Sequence, residues 1–147
     1  MPKNMVTRSM GAMLILRESD EPPSDEEWDE CLRLLAPYRS DFSRVKVLVV
    51  TDGGGPTPVQ RKRLSSVLDG NVVRVAVVSE SVKVRFITSS VALFLRRISS
   101  FRRHELQDAY TFLSMTPEER LAADRAIADM DAEIKAPTQY NTLRPRP

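Results

Sequence analysis

The run Val45-Lys-Val-Leu-Val-Val-Thr-Asp-Gly-Gly-Gly-Pro-Thr57 limits the choice of fold more than any other part of this sequence. Residues 47–50 are continuously apolar and mostly β-branched, the pattern of a strand buried on both faces of a sheet. Thr51 and Asp52 end the run, and Gly53, Gly54 and Gly55 free the backbone to turn. Thr57-Pro-Val-Gln60 then reads as a helix start. Threonine caps, proline takes the first helical position, and glutamine three residues after the cap completes a capping box. A strand, a glycine loop and a helix start also make many phosphate sites, because N–H groups at a helix N-terminus attract anions. Neither a Gly-Lys-Ser/Thr ending nor a Gly-x-Gly-x-x-Gly spacing is present.

The same grammar repeats on either side. Met13-Leu-Ile-Leu-Arg17 is a short apolar strand, and residues 1–11 are either a flexible lead-in or an extra edge strand turning at Gly11. An acidic block over residues 18–30 holds eight carboxylates. Within it, Ser24-Asp-Glu-Glu27 is a second capping box, and Trp28, Cys31 or Leu32, and Leu35 recur at helical spacing, so a helix is expected over 25–36. The acids are most simply its solvated face. A helix over 58–68 follows the glycine loop, with Leu64, Val67 and Leu68 inward. Residues 72–78 form a third strand, and a helix is expected over 82–97.

That helix carries more apolar surface than one side of a sheet requires: Phe86 and Leu93 lie off the face marked by Val84, Ile87, Val91, Phe94 and Ile98. Either a second covering element or a partner subunit would absorb it. A short strand over 98–101, a helix over 104–113, and a third capping box, Thr116-Pro-Glu-Glu119, complete the order. The box opens an amphipathic helix over 117–135 on which Ala123, Ile127, Met130 and Ile134 align. The proline-rich last residues, 137–147, read as a disordered tail. The expected architecture is α/β: a small mixed, mostly parallel sheet of about four or five strands with helices packed on it and an added C-terminal helix, within one domain for a chain of this length.

Composition narrows the chemistry. Basic and acidic residues nearly cancel, 22 against 20, so overall charge selects no polyanionic partner. One cysteine, Cys31, rules out an intramolecular disulfide, and one histidine, His104, argues against a zinc site. No cofactor is expected. No apolar run approaches a membrane span, and the first residues, with Lys3 and Arg8, lack the apolar core of a secretory signal, so a cytoplasmic location is expected.

At this point the order of elements and four segments resemble a known group, the STAS superfamily and in particular the SpoIIAA-like proteins related to the anti-sigma-factor antagonist of sporulating bacteria. The segments are Pro-Ser-Asp-Glu-Glu-Trp-Asp-Glu (23–30), Val-Lys-Val-Leu-Val-Val-Thr-Asp (45–52), Val-Arg-Val-Ala-Val-Val-Ser-Glu (73–80) and Ser-Ser-Phe-Arg-Arg-His-Glu-Leu-Gln-Asp-Ala-Tyr-Thr-Phe-Leu (99–113). The resemblance covers residues 12–114. It implies a bacterial regulatory domain that works by binding protein partners and is not an enzyme. In the classical antagonists a serine at the helix start after the central strand is phosphorylated. Here Asp52 matches the preceding aspartate, the serine is absent, and Thr57 is the nearest hydroxyl.

Several sites are expected. Asp52, Gly53, Gly54, Gly55 and Thr57 are candidates for binding a small anion such as a nucleotide, phosphate or lipid headgroup. Thr57 is a candidate phosphosite whose plainer role is a helix cap. Phe86, Leu93, Phe94, Ile127, Met130 and Ile134 are candidates for an interface with a protein partner or a second copy. Between Ser81 and His104 there are six basic residues (Lys83, Arg85, Arg96, Arg97, Arg102, Arg103) and no acid, a strip that would suit nucleic acid if clustered in space, although cations are also favoured at helix C-termini.

Overall fold

A computed structural model describes residues 2–84 and 97–136. It contains a five-stranded sheet whose strands lie side by side in chain order: β1 (Met5–Met10), β2 (Met13–Glu18), β3 (Lys46–Thr51), β4 (Arg74–Val78) and β5 (Ile98–Phe101). β1 runs antiparallel to β2 as a hairpin, and the other three pairings are parallel. The first residues are therefore an edge strand. The helices are α1 (Asp25–Leu35), α2 (Pro58–Leu68), α3 (Leu106–Phe112) and α4 (Pro117–Asp131). The mixed, mostly parallel α/β architecture with a C-terminal helix is the one expected from the sequence.

All three capping boxes form. Ser24, Thr57 and Thr116 each accept a hydrogen bond from the backbone of Glu27, Gln60 and Glu119, whose side chains accept in return from the cap N–H groups. The expected edges shift slightly. β4 begins at Arg74, with Val72 left 41% exposed, and the helix expected from His104 starts as a tight turn over Arg103–Glu105 before α3. Residues 82–84 are helical. The remainder of the helix expected over 82–97 lies outside the described residues.

Chain-order strands have a consequence for the layers. Parallel crossovers are right-handed, so successive connections stepping the same way across a sheet fall on the same face. α1 and α2 do so. Trp28, Cys31, Leu32, Leu35 and Leu68 pack with Leu14, Leu16, Val47 and Val73 on that side. The other face, carrying Met13, Ile15, Leu48, Val50, Ala76 and Val78, is covered by the chain beyond β5: Ala109, Tyr110 and Leu113, then Ala123, Ala126, Ile127 and Met130 of α4.

The C-terminal helix is thus the second covering layer of the same domain. Ile127 is 4% exposed and Met130 is fully buried, while Ile134 packs half-buried against this core and bridges Lys3. As a correction to the expected interface, the apolar face of these three residues is spent inside the chain, because α1 and α2 both lie on one side of the sheet and leave the other side for later residues to close.

Candidate functional site

The C-terminal ends of β2, β3, β4 and β5 lie along one edge, where open parallel sheets place their ligand crevices. The loop after β3 is interlocked with its neighbour there. The Gly54 N–H donates to Ser19 O at 2.9 Å, and the buried Thr51 hydroxyl donates to Gly54 O at 2.7 Å while accepting from Gly53 N–H at 3.1 Å. A Cβ at Gly54 would lie 2.3 Å from Glu21 O and 2.7 Å from Ser19 O, so only glycine fits. Gly53 has φ +134°, a conformation open to glycine, and its neighbours there are Asp20 and Ser81. Two of the three glycine N–H groups are thus occupied, Gly53 within the loop and Gly54 by the neighbouring Ser19 carbonyl.

Thr57 sits half-buried at the N-cap of α2, its Oγ1 accepting from Gln60 N–H at 3.2 Å. Gln60 is buried and does more than complete the box. Its amide donates to Pro23 O at 2.9 Å, and its own carbonyl accepts from the Trp28 indole at 2.9 Å, tying α2 to the start of α1.

Asp52 is held by a chain of alternating charges. Its two oxygens accept from Arg17 Nη2 at 3.1 and 3.2 Å, Arg17 Nε donates to Asp131 Oδ1 at 2.6 Å, and Arg103 reaches Asp131 Oδ2 at 3.3 Å. Arg17 is buried and also donates to Glu18 O. Because side chains alternate along a strand, Arg17 reaches toward α4 on one face and Glu18 enters the other.

Glu18 is 3% exposed, and its Oε1 has no hydrogen-bond partner among the described residues. Burial pushes its carboxyl up to about 8, an effect partly opposed by Arg17. It is therefore mainly protonated at neutral pH. It lines a cavity of about 250 Å³ that runs between α1, α2 and the sheet to the 53–55 loop. Neither Arg17 nor Glu18 is among the residues expected from sequence. The available signal is two charged residues closing an apolar strand, which must find partners or a lowered charge once buried.

The remaining candidates are more scattered. Cys31 is buried, and burial pushes its thiol up to about 12, with Glu18 and Glu30 adding to the rise. His104 is exposed in the turn before α3. Of the basic strip, Lys83, Arg97, Arg102 and Arg103 are exposed, and Arg103 is engaged with Asp131. Arg85 and Arg96 lie outside the described residues, as do Phe86, Leu93 and Phe94. Among the described residues no group of three or more His, Cys, Asp or Glu could hold a metal ion, and no helix is long and apolar enough to cross a membrane.

Comparison with protein-family models, with curated proteins and with solved structures finds no match.

Proposed function

We propose that this chain is a regulatory or protein-interaction module of STAS type, non-enzymatic, which presents the C-terminal edge of its sheet to a second copy or a regulatory partner. The observation that carries this reading is the pairing of a rigid loop with exposed apolar side chains at that edge. Val59, in the first turn of α2, is 69% exposed, and Val82, at the first helical position after β4, is 71% exposed. The loop from Asp52 to Thr57 lies between these two helix starts, fixed by Thr51, Ser19 and Arg17. Preorganised loops lose little freedom on binding, so a modest apolar contact there yields more net affinity.

The anion-binding alternative at the same loop draws less support. The N–H groups of Gly53 and Gly54 are already engaged, and Asp52 and Glu18 stand beside the loop.

Light scattering after size exclusion over a wide range of protein concentration tests the reading. Mass rising toward a dimer, and its loss in the double variant Val59→Glu, Val82→Glu, is the expected result. A monomer at every concentration would remove self-association, and association unchanged in the double variant would remove this edge as the surface.

A further inference from the structure

The interaction reading makes no use of the cavity behind the 53–55 loop or of the acid that enters it. The lining is apolar over most of its length, with Leu16, Val49 and Val75 from the sheet, Trp28 and Leu35 from α1, and Leu64 from α2. Glu18 is the one carboxylate among the described lining residues. Leu14 and Leu16 occupy the two preceding positions on the same face of β2, and a third leucine would continue that apolar surface. The chain instead buries a carboxylic acid with an unpaired oxygen, and buried polar atoms in folded proteins are nearly always paired.

We propose that this cavity binds a small neutral amphiphile, with an apolar body against the sheet and a hydroxyl or carbonyl head hydrogen-bonded to the Glu18 carboxyl. The choice of head group rests on what the polar atoms near Glu18 can offer. Gly54 N–H is taken by Ser19 O, and Gly53 N–H and the Thr51 hydroxyl by the loop, leaving Glu18 as the recognising side chain. A protonated acid both donates and accepts, and so suits an alcohol or a carbonyl. Arg61 also contributes to the lining, but it is exposed and donates to Pro56 O at 3.1 Å, so it does not supply a buried counter-charge for an anion. Volume sets the size. An engineered apolar cavity of about 150 Å³ accepts benzene, so this one accepts on the order of ten non-hydrogen atoms.

Trp28 is the chain's single tryptophan and lines the cavity, which makes its fluorescence a direct reporter. Titration of the full chain with 1-octanol at neutral pH should give a saturable change, with octanoate at least about tenfold weaker. Glu18→Leu should weaken octanol about tenfold and reduce its advantage over octanoate, whereas Glu18→Gln, which keeps a donor and an acceptor, should retain most of the affinity. Val49→Phe should abolish the response by filling the cavity. Far-UV circular dichroism of each variant checks that it is folded. The proposal is overturned by an absent or non-saturable response to octanol in the wild-type chain, by tighter binding of octanoate, or by octanol binding that is unchanged in folded Val49→Phe.

Discussion

The two faces of the sheet are built by the same strands and differ in how they are filled. On the α3 and α4 side, Ile15, Leu48, Ala76, Ala109, Tyr110, Leu113, Ala123 and Met130 are at most fractionally exposed, and the Tyr110 hydroxyl closes the layer by donating to Asp124 at 2.6 Å. On the α1 and α2 side, Val49, Val75 and Leu64 remain half-buried around a cavity that contains a buried acid. Leu48 and Val49 are chain neighbours on the central strand and belong to opposite regimes. Interiors close-packed on one side tolerate little change in volume, whereas a void on the other leaves its lining without part of its dispersion contact. Most of the stability thus lies with the face closed by the C-terminal helix, and among the described residues the open space lies on the other face.

The largest effect should come from removing the closing layer. A chain ending at Ser114 loses α4 and exposes the face around Ile15, Leu48 and Ala76, and it should show no cooperative thermal transition. A folded monomer of that length would break the comparison. Next, Met130→Ala should cost about 2–5 kcal/mol in urea denaturation, while Val49→Ala, beside existing space, should cost about 1 kcal/mol. Equal losses would erase the contrast.

Glu18→Leu sharpens the contrast through pH. Between about 4.5 and 8 the folded chain keeps a proton on Glu18 that the unfolded chain has released. Stability of the wild-type chain should therefore fall as pH rises through that window and level off above it, by an amount on the order of 5 kcal/mol. Glu18→Leu should lack this slope in pH-dependent urea melts and be the more stable protein at pH 8. The smallest effect belongs to the edge. Thr57→Ala removes a cap and should cost about 1 kcal/mol, with no change in octanol binding.

Local signals read well from the sequence because their physics is local. Each capping box needs only a cap and a partner three residues on, and Ser24, Thr57 and Thr116 all mark true helix starts. The valine-rich runs mark strands for the same reason, and the one-sided crossovers are a consequence of their order. The Arg17–Asp52–Asp131 chain is not legible in this way. Its partners are 35 and 114 residues from Arg17, and no periodicity connects them. Glu18 reads as part of an acidic, solvated block, although its strand carries it inward two residues before the chain turns out to solvent. Ile127 and Met130 are recognisably apolar but cannot be assigned to a surface from sequence, since a helical face states that it needs covering and not by which element.

The most direct test exploits the neighbouring pair on β3. Urea midpoints would be measured for Leu48→Phe and Val49→Phe, two enlargements one residue apart that enter opposite faces. Overpacking a filled core costs about 1–3 kcal/mol, so Leu48→Phe should lose that much, while Val49→Phe should match or exceed the wild-type chain. Equal destabilisation by the two substitutions would mean that both faces are packed alike, and the cavity and the ligand proposed for it would fall together.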